Sequence, residues 1–175
     1  MPDRLKLRES TASDVSAIVD LYDAAIPGED LKPLLRDLLA GLSDVLSLVW
    51  TDDGTVVGHA AFSVCGIEGR QRQAALLGPL AVLPERQRKG LGAALVRGGL
   101  NRLERGGISS VFVLGDPAYY GALGFKTERN VVPPYPLSAE WREAWQSIDL
   151  WECELSCRGQ LIVPEPWRRQ ALWMP

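Results

Sequence analysis

The sequence predicts an α/β fold (α+β by some schemes), a mixed central β-sheet flanked by helices. Three observations point there. Runs with strand patterning alternate with runs of helical spacing along the first two thirds of the chain. A glycine-rich turn at Gln87–Ala93 joins an apolar strand to a helix, which leads into a second apolar strand. That β-α-β order implies a parallel pair inside the sheet.

The elements follow in order. Leu5 and Leu7 alternate with Lys6 and Arg8 as a short half-buried strand. Thr11 or Ser13 caps a helix whose apolar residues are Val15, Ile18, Val19, Tyr22 and Ala25, and Pro27-Gly28 stops it. Leu31, Leu34, Leu35, Leu38 and Leu39 carry a second helix, ended by Gly41. Leu46–Thr51 and Val56–Val64 are strands joined by the tight turn Asp52-Asp53-Gly54. A loop around Gly66 and Gly69 leads into the strand Ala74–Leu83, which Gly78-Pro79 interrupts.

The helix from Gly90 sets Leu91, Ala94, Leu95, Gly98 and Leu103 on one stripe, and Ile108–Leu114 is a buried strand. Residues 1–132 read as the core. Residues 133–175, marked by Pro133, Pro134, Pro136 and five of the six tryptophans, read as a segment completing the same domain. Trp141 and Trp145 stand one helical turn apart and would anchor a face. Cys153–Val163 would add a strand or hairpin.

Bulk properties exclude several functions. A net charge of −3 provides no global field for nucleic acid or an anionic membrane. Cys65, Cys153 and Cys157 are too few for a disulfide framework in a domain of this size, and with His59 the only histidine they do not suit a zinc site. They read as reduced, buried thiols. With no apolar h-region at the N-terminus and no run near the roughly 20 apolar residues of a membrane span, the chain reads as cytoplasmic.

The turn Gln87-Arg88-Lys89-Gly90-Leu91-Gly92-Ala93 carries the chemistry. A helix start offers unpaired N–H groups and partial positive charge to a phosphate, and Gly90 and Gly92 let an anion approach the backbone. Arg86, Arg88 and Lys89 add charge at the same corner. It is not a Walker loop, because Ala93-Ala94 stands where Gly-Lys-Ser/Thr would end it. It is not a dinucleotide fingerprint, because Leu95 occupies the place of the third glycine.

The stretch resembles the acetyl-CoA signature of the GNAT superfamily, Gln/Arg-x-x-Gly-x-Gly/Ala, beginning at Gln87. Leu80-Ala81-Val82-Leu83-Pro84 resembles that family's splayed strand, and Gly124-Phe125 falls where it places a Gly-Phe pair. Leu-Gly-Pro-Leu-Ala-Val-Leu-Pro and Leu-Gly-Asp-Pro-Ala-Tyr-Tyr are similar to its YhbS-like subgroup. The resemblance implies a sheet splayed at the CoA site and acetyl-CoA as co-substrate, with no metal. The amides of Arg88, Lys89, Gly90, Leu91, Gly92 and Ala93 would hold the pyrophosphate. The backbone of Leu80 and Val82, with Ala81 between them, would pair with the pantetheine amides.

Acetyl transfer needs a neutral amine and a proton for the departing thiolate. Tyr120, four residues before the Gly-Phe glycine, matches the tyrosine that lies beside the CoA sulfur in many GNAT enzymes, and so would be the general acid. Many of those enzymes carry an asparagine about seven residues before it; Asp116, four before, reads as a helix cap. Glu68 is the weaker candidate for base, with ordered water as its rival, and His59 beside Ser63 reads as a hydrogen-bonded wall residue. The function expected is N-acetyltransfer to a primary amine, with a small molecule favoured over a protein or peptide. The alternative is a non-catalytic acyl-CoA-binding module of the same fold. A sheet edge and an aromatic tail also suit a homodimer.

Overall fold

The computed structural model describes residues 4–41, 44–151 and 158–174, with backbone only at 70–73. The chain divides into two compact units, residues 1–62 with 78–101, and residues 63–77 with 102–175.

The first unit opens with β1 (Leu5–Glu9), α1 (Val15–Ala25), α2 (Lys32–Leu38) and β2 (Val45–Asp52). Then come β3 (Thr55–Ile67), β4 (Arg70–Val82) and α3 (Leu91–Arg105), each of which contributes residues to both units. β1 runs antiparallel to β2, with Leu5 opposite Asp52 and Glu9 opposite Leu48. Asp53 (φ 50°) and Gly54 (φ 83°) make the β2–β3 turn, both left-handed as the twist of a two-residue hairpin demands. Leu5 is 40% exposed, so the apolar alternation expected of β1 does not hold at its start. Every residue of β3 from Val56 to Ser63 is buried, so its two sides are not one apolar and one polar.

Ile18, Leu21, Tyr22, Leu35, Val49, Val56 and Ala81 form the core of this unit. Leu21 was absent from the expected stripe of α1. On α3 the buried residues are Leu91, Leu95, Val96, Gly99, Leu100 and Leu103, so three of the expected stripe are buried while Ala94 is half-buried and Gly99 takes the place given to Gly98. The reason is steric: a Cβ on Gly99 would collide with the Phe62 ring, so Gly99 rather than Gly98 is the position where the helix backbone meets a ring.

Two polar clusters order the start of this unit. Arg8 grips Asp14 with two nitrogens at 2.7 and 3.0 Å, and the Thr11 N–H donates to the same carboxylate at 2.7 Å. The Arg8 hydrogen bonds lead in holding Asp14 down at about 2. His59 is fully buried: Nδ1 lies 2.8 Å from the Tyr22 hydroxyl and Nε2 2.9 Å from Ser47 Oγ, which in turn accepts from Ser10 Oγ at 2.6 Å. Burial lowers its pKa to about 3, so the ring is neutral and ties β3 to α1, β2 and the end of β1. This is the wall role expected of it.

The second unit adds β5 (Ser110–Leu114), α4 (Pro117–Gly121), β6 (Lys126–Thr127), β7 (Val131–Val132), β8 (Trp145–Asp149) and β9 (Gly159–Ile162). Ala74–Leu77 of β4 pairs parallel with Ser110–Val113 of β5, the expected β-α-β consequence. β8 runs antiparallel to β5 and β6, β9 antiparallel to β3, and β7 parallel to β9.

Two readings are corrected here and a third is met in part. Gly66 lies within β3 opposite Ile162, and the loop shrinks to a turn at Glu68-Gly69. Trp141 ends a short 3-10 turn while Trp145 begins β8, so they share no helix face. β9 supplies a strand within the span expected to add one, whereas Cys153 and Cys157 lie outside the described residues. Cys65 is a buried free thiol, pushed by burial up to about 12.

Trp145, Trp167 and Trp173 form a contiguous buried group, with Trp173 edge-on to both others. Each indole N–H has an acceptor: the Val131 carbonyl, Ser63 Oγ and the Trp167 carbonyl respectively. These three are scaffold, as expected of the tail, because a buried indole needs both a packed ring and a partner for its N–H. Trp151 is 53% exposed and belongs to no such cluster.

The buried polar groups of the first unit set its response to acid. His59 carries a folded pKa of about 3 against an ordinary 6.5, so the unfolded chain takes up a proton that the folded one refuses. Its contribution is complete above pH 6.5 and is lost progressively toward pH 3. Asp14, lowered from 3.8 to about 2, loses its contribution only as pH falls from about 4 to 2. Urea unfolding across pH is therefore expected to show stability falling from near pH 6.5. In His59→Gln, less stable at neutrality, the segment between pH 6.5 and 4.5 should be flatter.

Candidate functional site

β4 lies between β3 and β5 but loses β5 part-way along its length. Its parallel register with β5 ends at Leu77, and the strand runs on through Gly78 and Pro79, joined by a cis peptide, to Val82. The Leu83 N–H donates to the Val57 carbonyl of β3 at 2.9 Å. Main-chain groups alternate sides along a strand, so Ala81 also faces β3 while Leu80 and Val82 face the other edge. Among the described residues no strand pairs with that edge beyond Leu77.

The turn that follows is held in an unusual backbone shape. Arg88 (φ 62°) and Gly90 (φ 81°) are both left-handed, and a Cβ on Gly90 would meet nothing within 4 Å. Gly90 is therefore glycine for its conformation, with open space beside it. The Gln87 side-chain amide donates to the Val82 carbonyl at 3.0 Å, pinning the turn to the strand end. The first helical bond of α3 is Ala94 N–H to the Gly90 carbonyl at 3.0 Å. The N–H groups of Leu91, Gly92 and Ala93 precede it and have no acceptor inside the helix. Trp50 Nε1 donates to the Leu91 carbonyl at 3.0 Å and holds the helix start from the side.

Arg86 is tied to Asp52, a carboxylate that it shares with Arg4 at 3.4 Å, and so is held toward β2 instead of standing free at the turn. Arg88 and Lys89 are exposed and make no ion pair among the described residues.

In the second unit, Asp116 Oδ1 accepts the Ala118 N–H at 3.0 Å and caps α4, as expected. Tyr120 follows on α4, its ring 5.0 Å from Tyr119 and 5.6 Å from Phe125, edge-on to both. Its carbonyl accepts the Leu123 and Phe125 N–H groups at 3.0 and 3.1 Å, closing the turn through left-handed Gly124 (φ 100°). Burial, then Tyr119 and Asp116, raise the Tyr120 pKa well above the ordinary phenol range. Among the described residues its hydroxyl makes no hydrogen bond, and it is not a sealed polar atom either.

A model of the acetyltransferase (GNAT) family matches residues 15–125. The chain belongs to the GNAT acetyltransferase family. Over 169 residues, 94% of this chain and 87% of the relative, it is 30% identical to the uncharacterized N-acetyltransferase YjhQ of Escherichia coli. It is 40% identical to YhbS of the same organism over 121 residues, 69% of this chain and 72% of that one. The solved structure of E. coli YhbS in complex with CoA superposes with a TM-score of 0.83, covering 95% of this chain and 93% of that one at 29% identity. A GNAT acetyltransferase from Brucella melitensis in complex with acetyl-CoA gives 0.75, with 93% and 97% covered at 28% identity. The YhbS-like GNAT reading of the sequence holds, and with it the mixed-sheet α/β class.

Within this GNAT frame Glu68 sits in the β3–β4 turn, exposed, with Oε2 accepting the Gln160 N–H at 3.4 Å. The Glu68 N–H donates to the Gln160 carbonyl at 2.9 Å, so the turn is tied to β9. Among the described residues no group of three His, Cys, Asp or Glu could hold a metal ion, and no helix is long and apolar enough to cross a membrane.

Two residues near these features escaped sequence reasoning. Gln87 was read as the first letter of a motif, yet its side chain is the latch between turn and strand. Gly115 was not singled out, although a Cβ there would run into the Tyr120 ring. Only its position, directly after an apolar strand and before an Asp-Pro cap, hints at the contact. Gly115→Ala is expected to cost about 1–3 kcal/mol by overpacking. Most of that cost should vanish in a Tyr120→Ala background, a coupling that urea unfolding of the double-mutant cycle measures.

Proposed function

We propose that this protein is an acetyl-CoA-dependent N-acetyltransferase that acts on the primary amine of a small molecule by direct attack in a ternary complex. The observation that carries the reading is the pair of unsatisfied main-chain surfaces in the first unit. One is the Leu80–Val82 edge of β4; the other is the run of N–H groups at Leu91–Ala93. Relatives of similar fold bind CoA or acetyl-CoA, and a cofactor with two amides and a pyrophosphate matches both surfaces. A helix start with its own N–H groups free suits the pyrophosphate, and an open strand edge suits amides paired as an added strand. Arg88, Lys89 and Gly90 complete the phosphate cradle. The Val82 carbonyl already accepts from Gln87, so the edge offers the pantetheine mainly Leu80 and the Val82 N–H.

Acetyl-CoA supplies the acetyl group as an activated thioester, which leaves the protein with positioning and proton management. The neutral amine nitrogen bonds to the acetyl carbon and the carbon–sulfur bond breaks. Tyr120 gives its phenolic proton to the departing sulfur, and the proton shed by the new amide nitrogen restores it. Its raised pKa keeps the proton on the oxygen through neutral and mildly alkaline pH. Glu68 is the carboxylate we assign to take the proton that makes the amine neutral, directly or through water.

Calorimetric titration with acetyl-CoA tests the cofactor assignment. Micromolar binding is expected for the wild type. It should be lost in a folded Gly92→Glu variant, which places a carboxylate against the N–H groups of the α3 start. Absence of wild-type binding would remove the proposal.

Turnover, followed as thiol release across an amine panel, tests the acid and base. Tyr120→Phe should lower kcat by about 10²–10⁴-fold while acetyl-CoA affinity is unchanged. Glu68→Gln should depress the rate on the acid side of the pH profile. Full turnover in Tyr120→Phe would refute the acid, and tight binding without release for any amine would point to a non-catalytic acyl-CoA module.

A further inference from the structure

A cavity of about 690 Å³ opens in the second unit, in the segment that joins β6 to β8. Its volume lies in the range of small-molecule sites. Val131, Pro133, Tyr135, Leu137 and Trp145 give it apolar walls. Trp145 is a rigid one, stacked on Phe112 with ring centres 5.6 Å apart.

The register of the sheet places this cavity. Leu114, the last residue of β5, lies opposite Trp145, and the Gly115 N–H donates to the Ala144 carbonyl at 3.0 Å. The Glu128 N–H donates to the Trp145 carbonyl at 2.9 Å. The cavity therefore lies at the C-terminal end of β5, the end from which Asp116 and α4 carry Tyr120.

Four charged residues line it, and they divide into a matched pair and an unmatched pair. Glu143 is answered by Arg129 at 3.6 Å and by Thr127 Oγ1 at 3.1 Å. Glu128 is half-buried; its carboxylate accepts main-chain N–H groups of Asn130 and Val131 and the Ser147 hydroxyl at 3.4 Å. Among the described residues no cation pairs with it. Burial, with Asp149 adding to it, raises its pKa, the direction expected of an anion without a counter-charge. Arg142 is exposed, and among the described residues its guanidinium has neither an ion pair nor a hydrogen bond.

We propose that this cavity is the acceptor site and takes a zwitterion: a primary amine on an apolar body that also bears a carboxylate, the amine at Glu128 and the carboxylate at Arg142. The inference rests on amine acetylation as the reaction. A simple alkylamine would leave Arg142 unanswered, a polyamine would be repelled by it, and a phosphorylated acceptor would face Glu128. A guanidinium grips a carboxylate with two parallel hydrogen bonds, and a half-buried carboxylate is relieved by an ammonium. The apolar walls take the body between them.

The test is calorimetric titration of the full chain with L-phenylalanine and with 6-aminohexanoate, each against its two halves. Those halves are phenethylamine and 3-phenylpropanoate for the first, hexylamine and hexanoate for the second. At least one zwitterion should bind tenfold or more tightly than both of its halves. Arg142→Ala should bring that zwitterion to the level of its amine half, and Glu128→Gln to the level of its acid half, with the melting temperature of each variant near wild type. No preference for either zwitterion, or a preference that survives both substitutions, overturns the proposal. Acetyl-CoA titrated into the same samples separates the two readings. Acetyl-CoA binding without zwitterion preference overturns the cavity assignment and leaves acetyl transfer standing. Zwitterion preference without acetyl-CoA binding overturns the acceptor role.

Discussion

Backbone N–H and C=O groups must be paired with protein, water or ligand, and among the described residues two neighbouring sets in one unit are left largely without backbone partners. β4 is satisfied on both edges at Ala74–Leu77 and on one edge only at Leu80–Val82. A few residues on, α3 begins with three N–H groups that have no helical acceptor. The intervening turn keeps both sets in place: Arg88 and Gly90 adopt left-handed backbone, Gln87 latches onto Val82, and Trp50 braces Leu91. A binding surface made of main-chain atoms needs little from side-chain identity except at the positions that shape the turn. Apolar residues at Leu80, Ala81 and Val82 are thus compatible with recognition of a polar ligand.

That surface is useful only on a rigid support, and the first unit supplies it with buried polar contacts as well as apolar packing. His59 is the central case. As a neutral ring it has one N–H and one bare nitrogen, which Tyr22 and Ser47 complement. The same strand carries Phe62, which seats against α3 where Gly99 has no side chain. β3, α1 and α3 are therefore fastened through two residues of β3 three positions apart. A charged His59 would need solvation that its site does not provide, so it is unsuited to a catalytic proton relay.

The legible parts of the sequence were those governed by local rules. Asp53-Gly54, the Asp116 cap and the glycine-rich turn follow from backbone preferences within a few residues, and the parallel β4–β5 pair follows from the β-α-β order of elements. What escaped depended on distant partners. On α3 the buried Leu91, Leu95 and Leu103 were legible, but Gly98 was put where Gly99 belongs, because only the distant Phe62 distinguishes the two glycines. Trp141 and Trp145 have helical spacing, but Trp145 is drawn into β8 by pairing with Leu114 and by the Val131 carbonyl that accepts its N–H. Arg86 looked like phosphate charge until Asp52, thirty-four residues earlier, claimed it. The cavity beside Glu128 had no local signature, since its walls come from segments that read as proline-rich loop.

The placement of Tyr120 shows how a short motif can specify a side chain through its neighbours. Asp116 starts α4 at a defined residue, which sets the turn on which Tyr120 falls. Gly115 removes the one Cβ that would collide with its ring, and Phe125 packs edge-on against it. Gly124 supplies the left-handed step that returns the chain so that Phe125 can also donate to the Tyr120 carbonyl. The Gly-Phe pair is thus the far wall of the tyrosine's site as well as the end of a helix. With the ring held on these sides and the hydroxyl without a hydrogen bond among the described residues, the group is oriented while its proton remains available. That combination suits a positioned acid better than a core tyrosine, whose hydroxyl would be hydrogen-bonded within the fold.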